Sequence, residues 1–146
     1  MKKLEDHNFR VNSASWKKIT VEEKEYLVNP TEDIWEILDG EERGEQLFTF
    51  NSAKRETAKA GKTIPTDDYL AKIIKTKKDM PNPVFSGYRD TDGWFHHQSS
   101  FFYLWSCTEF SATYGWSRYL NSGDTIVYRY NYAKTNAYSV RCLNNN

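Results

Sequence analysis

No apolar run in this chain is long enough to cross a bilayer, and Met1-Lys2-Lys3 leads into Leu4-Glu5-Asp6-His7 rather than the apolar stretch of a secretory leader. The expectation is a soluble chain with no membrane contact of its own, cytoplasmic or displayed through a partner. Cysteine is scarce. Cys107 and Cys142 are too few for a disulfide scaffold and lack zinc-ligand spacing; free buried thiols are expected, although two neighbouring strands could bring them together. Net charge is also missing: 20 Lys and Arg balance 20 Asp and Glu, which argues against a basic nucleic-acid face or a polybasic membrane patch. There is no G-x-S-x-G, phosphate loop or dinucleotide glycine pattern, no internal repeat and no low-complexity tract.

Isolated chemistry-bearing residues do not assemble into a motif. His96 and His97 are adjacent, so on a strand they point to opposite faces and share a metal ion poorly. Asp90, Asp92 and Gly93 lack the glutamate that would close a calcium loop. Glu109 reads as a structural carboxylate bonded to backbone N–H groups. Nothing orients Cys107 as a nucleophile. No catalytic residue, metal site or cofactor is therefore assigned.

What is present is a division of the chain into two halves. After Gly93 the only acids are Glu109 and Asp124, and the only strong bases are Arg118, Arg129, Lys134 and Arg141. The front is charged and leans to helix, and the back is neutral, aromatic and leans to strand. A capping box at Thr20-Val21-Glu22-Glu23 predicts a short helix to about Val28. Ile34–Leu38 reads as a strand and 39–45 as a charged loop. A strand over 47–50 precedes a helix capped by Asn51 or Ser52 and closed at Gly61. Thr66 caps a second helix, with Asp67 and Asp68 matched to its dipole and Tyr69, Leu70, Ile73 and Ile74 on one face, ended by Pro81 and Pro83. Strands follow at 84–89, 94–97, 102–108, 115–120, 125–132 and 138–143, the first two joined by a hairpin loop. The fold class expected is α+β, two helices on a curled, mostly antiparallel sheet.

The segment 116–136, WSRYLNSGDTIVYRYNYAKTN, carries the functional signal. Asp124, Ile126, Tyr128, Tyr130 and Tyr132 fall on every second residue and would share a strand face. Tyrosine offers large amphipathic contact area at low entropic cost, so such a row suits a contact surface. It also suits an ordinary sheet, where tyrosine is favoured by β-propensity.

GKTIPTDDYL (61–70), SGYRDTDGWF (86–95), YLWSCTEF (103–110), GWSRYLN (115–121) and YSVRCL (138–143) together resemble the bacterial major paralogous domain first noted in Fibrobacter. Within that family the chain is most similar to the variable proteins of diversity-generating retroelements. The resemblance covers 47 to the end; residues 1–45 would be an extension packed on or leading into a domain over 46–146. It implies a C-type-lectin fold of the formylglycine-generating-enzyme type. It also implies a hypervariable display or recognition protein that binds a protein or other macromolecule. In such systems an error-prone reverse transcriptase substitutes at template adenines, and Asn codons spread to residues other than Lys, Glu, Gln, Met and Trp. The frame would be Gly87, Tyr88, Arg89, Gly93, Trp105, Ser106, Thr108, Glu109, Trp116, Arg118, Leu120, Val127, Arg129, Lys134, Ser139, Val140, Arg141 and Cys142. The variable, ligand-binding positions would be Phe110, Ala112, Tyr114, Ser117, Tyr119, Asp124, Ile126, Tyr128, Tyr130 and Tyr132, extended upstream to Phe101 and Phe102, with His96, His97 and Cys107 as further members. Pro81-Asn82-Pro83 lacks the preceding acid or amide of calcium-dependent sugar sites, so binding would be calcium-independent. Two other readings remain open: a non-diversified adhesive or structural module of an exported protein, and an enzyme of the formylglycine-generating type, for which the cysteines have no counterparts in position.

Overall fold

The structure, a computed structural model, describes residues 2–13, 15–40 and 42–144. Strand propensity rules the front of the chain. Strands β1 (Lys17–Val21), β2 (Lys24–Asn29), β3 (Ile34–Asp39) and β4 (Glu42–Phe48) form an antiparallel meander in sequence order. The helix expected over 20–28 is therefore a hairpin. Glu22 and Glu23 both take positive φ, 48° and 69°, to reverse the chain, so Glu23 cannot serve the capping box that Thr20 suggested. Tyr26 and Ile37 pair across β2 and β3, a contact that a local helix signal does not contain. The loop expected over 39–45 is shorter: the chain turns at Gly40 and is already in β4 by Glu42.

Helix α1 (Phe50–Lys59) starts two to three residues earlier than expected, because Thr49 is its cap and accepts from the Ser52 amide. Helix α2 (Asp67–Ile73) is capped by Thr66 as expected, but Ile74 is already extended, so the helix stops well before Pro81. A single 3-10 turn, Lys77–Asp79, follows. Strands β5 (Tyr88–Arg89) and β6 (Phe95–His96) are short, and β7 (Phe101–Glu109), β8 (Tyr114–Asn121) and β9 (Val127–Ala133) form the third antiparallel sheet, ordered 7-8-9. Residues 138–143 make no continuous strand. They run between the sheets through isolated bridges, Phe48 to Tyr138, Leu104 to Ser139 and Leu4 to Leu143. The molecule is α+β and mostly sheet, with two α-helices and three antiparallel sheets among the described residues.

The last segment stitches the front to the back. Phe48 and Tyr138 exchange both backbone hydrogen bonds, at 2.8 and 2.9 Å, and the Trp105 indole donates to the Phe48 carbonyl at 2.8 Å. The main core, including Phe9, Ile34, Phe48, Phe50, Trp105 and Tyr138, draws on both halves. The boundary expected between 45 and 46 falls inside β4, and described residues on both sides of it, Phe9 and Ile34 before and Phe48 after, share the main core. Glu36, fully buried, accepts from Arg10, Arg43 and Gln46. Glu45 holds the fully buried Arg141 at 2.9 Å. Replacing one partner of such a pair leaves a buried charge unmatched, which is why both ends of the chain are committed to one unit. No helix among the described residues is long and apolar enough to cross a membrane.

The Phe50 ring, at the start of α1, lies against β8 at Gly115. A Cβ on Gly115 would stand 2.5 Å from the Phe50 ring, so only glycine lets strand and ring approach. Gly115→Ala should therefore lower stability by about 2 kcal/mol through overpacking, read as a fall in the urea midpoint at unchanged m-value.

Candidate functional site: a tyrosine face on the last sheet

In the register of the third sheet, Tyr103, Tyr119 and Tyr128 are directly opposed across three strands, and Ser117 faces Tyr130. The pleat then places Phe101, Tyr103, Tyr119, Tyr128, Tyr130 and Tyr132 on one face and Leu104, Arg118, Leu120, Val127 and Arg129 on the other. The aromatic face is continuous. Ring centroids lie 5.4 Å apart for Tyr103 and Tyr119, 5.1 Å for Tyr119 and Tyr128, and 5.2 Å for Tyr130 and Tyr132. Tyr88 from β5 and Tyr138 close it on the inner side, 4.8 and 5.0 Å from the Tyr103 ring.

Exposure rises steadily across this layer. Tyr138 and Tyr103 are buried at 0% and 5%, Tyr119 and Tyr132 are half-buried, and Tyr128 and Tyr130 reach 36% and 55%. The inner tyrosines are core; the outer ones present ring faces to solvent on a strand whose geometry the inner ones hold. Ile126, at 53%, extends the exposed row at the entry to β9; Phe110 and Tyr114, at 54% and 43%, are exposed as well, but Tyr114 shares its face with Arg118 and the Phe110 ring lies 5.2 Å from Trp116 on that same face. Ala112 is exposed in the turn between β7 and β8.

Two expected contact residues are closed to solvent. Phe102 is fully buried, packed with Leu70, Leu104 and Leu120 beneath the opposite face, because its even position inverts it relative to Phe101. Ser117 is also fully buried; its hydroxyl donates to the Tyr130 carbonyl at 3.0 Å. Asp124 precedes β9 rather than lying in it: its carboxylate accepts from the Ile126 amide at 3.0 Å and from the Tyr128 hydroxyl at 3.3 Å, fixing the strand entry. Phe101 is half-buried, 4.8 Å from the His97 ring. Glu109 is exposed and pairs with Lys134 Nζ at 2.7 Å rather than with backbone amides. His96 Nε2 sits 2.6 Å from Asp90 Oδ2, and no group of metal ligands forms among the described residues. Both cysteines are free. Burial pushes the Cys142 thiol up to about 12 and raises Cys107 as well, away from the low values of reactive thiolates.

The opposite face supplies an anchor that the dipole argument missed. Asp67, at the start of α2, is buried under the sheet. Arg118 donates to its carboxylate and, at 3.0 Å, to its carbonyl; Arg129 donates to both carboxylate oxygens, its Nη2 at 2.7 Å. The Arg129 guanidinium also lies 3.5 Å from the Trp116 ring centroid. Only the spacing of arginines on alternate positions of facing strands could have signalled this. Arg118 and Arg129 are register partners, and two like charges side by side require a shared anion.

Compared with protein-family models, with curated proteins and with solved structures, the chain matches none. The arrangement itself must therefore carry the functional argument.

Two measurements check the site. Burial would raise the Asp67 carboxyl, but hydrogen bonds from Arg129 and Arg118 outweigh it and hold the group below the usual range. Its contribution is complete above the unfolded value of about 3.9 and disappears as pH falls through the depressed folded value. Asp67→Asn should cost about 3 kcal/mol at neutral pH in urea unfolding, and the difference from wild type should shrink in acid. In the tyrosine layer, burial and neighbouring phenols raise Tyr103 and Tyr132, and burial holds Tyr138 well above the ordinary value. The unfolded chain then loses phenolic protons first, so stability should fall as pH rises above about 10. Ultraviolet titration should show a delayed set of phenols that ionise together with unfolding.

Proposed function

We propose that this chain is a recognition protein of the retroelement-diversified kind, built on a C-type-lectin scaffold, that grips a macromolecular partner with the outer tyrosine face of its last sheet. One observation carries the reading: most frame positions are buried, with Trp116 and Val127 half-buried and Glu109 and Arg129 exposed, whereas the interleaved positions are mostly open to solvent. Trp105, Ser106, Arg118, Leu120, Ser139, Val140, Arg141 and Cys142 are buried. Of the ten interleaved positions from Phe110 to Tyr132, all but Ser117 are exposed or half-exposed. Side chains at the six exposed ones, Phe110, Ala112, Tyr114, Ile126, Tyr128 and Tyr130, can change with little effect on the core, whereas Tyr119 and Tyr132 also pack against it. Rigid strands bind with less ordering cost than mobile loops, and tyrosines at the centre of a patch carry much of the affinity. The two helices beside antiparallel sheets are compatible with the lectin-type scaffold. The raised thiols give no support to the enzyme alternative.

The gene tests this directly. The expected finding is a nearby template repeat, almost identical to the 3′ end of the coding sequence and differing at adenines. Reads from many individual cells should vary at the codons for Phe110, Tyr114, Ile126, Tyr128 and Tyr130 while those for Trp105, Arg118 and Leu120 stay fixed. An invariant gene with no neighbouring reverse transcriptase overturns the proposal.

A further inference from the structure

The side of the molecule away from the open tyrosines holds a recess of about 440 Å³ between the N-terminal segment, α2 and the 3-10 turn. Its floor is apolar: Leu4 and Ile74 are buried there, and Ile73 and Pro81 line it. Around it stand Lys2, Lys3, Lys72 and Lys78, all exposed. None of the four ammonium groups has a carboxylate within ion-pair distance among the described residues. The single acid in the lining, Asp79, is turned to other work. One of its oxygens accepts from the amides of Lys75 and Thr76, at 2.8 and 3.1 Å, which holds its carboxyl below the usual range. Neighbouring Lys77 is also occupied, donating to the Ser122 carbonyl at 2.9 Å over the Phe85 ring.

Four like charges around one apolar floor make the local potential positive, which favours an anion bound there. The volume is that of a small-molecule site, which typically spans about 300–1,000 Å³. The lysines come from separate segments and surround a depressed floor, so a flat bilayer would meet the ammonium groups without reaching Leu4 or Ile74. We propose that this recess binds a small amphipathic anion, with an alkyl or aryl body on Leu4, Ile73, Ile74 and Pro81 and a single carboxylate or phosphate head among the lysines. This site is independent of the tyrosine face and does not rest on the recognition function.

Titrations of the intact chain followed by amide NMR test it, with octanoate and octyl phosphate as probes and octanol as the neutral control. Both anions are expected to shift the amides of Ile73, Ile74 and Lys78 and to bind at least about tenfold more tightly than octanol, since the head group supplies charge-assisted hydrogen bonds. High salt should weaken them markedly, because the Debye length shrinks to about 3 Å at 1 M. Lys72→Gln combined with Lys78→Gln, at exposed positions, should lower affinity about tenfold without moving the melting temperature. Ile73→Asn should weaken the anions and octanol alike. A preference of octanoate over octyl phosphate, or the reverse, identifies the head-group source and supports the site either way. Equal binding of octanol and the anions overturns the proposal, as do shifts that map to the tyrosine face. So does binding of anionic vesicles or an acidic peptide through these lysines while octanoate and octyl phosphate shift nothing.

Discussion

A carboxylate held between two guanidiniums underlies everything the last sheet does. Asp67 is the only link that ties α2 to β8 and β9 at once through side-chain hydrogen bonds among the described residues. Arg118 and Arg129 sit opposite one another, and without that carboxylate their charges would push β9 away from β8. Strand β9 is also the edge of its sheet, with β8 as its only strand partner among the described residues. An edge strand with solvent on one side is ordinarily the first to fray. Here one side is clamped by the ion cluster and the inner part of the other by stacked rings, so the outermost tyrosines stand on a fixed support.

The same layer of rings is both interior and surface. Tyr138 lies 4.3 Å from Trp105 in the main core, and the contacts pass through Tyr103 and Tyr119 to Tyr128 at the open edge. Aromatic pairs at these separations contribute about 0.5–1.5 kcal/mol each beyond area burial. A continuous stack of this kind gives the outer side chains a defined orientation without covering them. It also divides the residues by role: substitutions at Tyr103 or Tyr138 act on stability, whereas Tyr130 has little to lose but its own contacts.

How legible this was in the sequence depended on whether the signal was local. Thr66 caps α2 because its hydroxyl serves an amide three residues on, and the alternation across β9 follows from a period of two; both are visible in a short window. The hairpin at Glu22-Glu23 was hidden behind a capping-box pattern, since its stabilisation comes from pairing with a third strand rather than from its own residues. Phe102 was misplaced because adjacent aromatics at 101 and 102 give no parity until the register with Leu120 is known. Asp67 looked like a dipole residue because nothing near it in sequence reveals Arg118 or Arg129, both more than fifty residues away along the chain. Segment 138–143 read as a strand and is instead a connector that pairs with several strands one residue at a time.

The pairing of Leu4 with Leu143, continued by Glu5 to Cys142 and Phe9 to Val140, has a mechanical consequence. The two paired segments are antiparallel; Leu4 and Leu143 pack with Leu70 and Leu104, and Phe9, Val140 and Cys142 join the main core with Tyr103 and Trp105. A force applied across both ends would unzip them, breaking hydrogen bonds one after another rather than several together. A force applied through one end and the aromatic surface would instead draw on the whole clamped sheet. Anything tethered by a single terminus could therefore be pulled hard by what it holds, while a tether through both would yield first at its own seam.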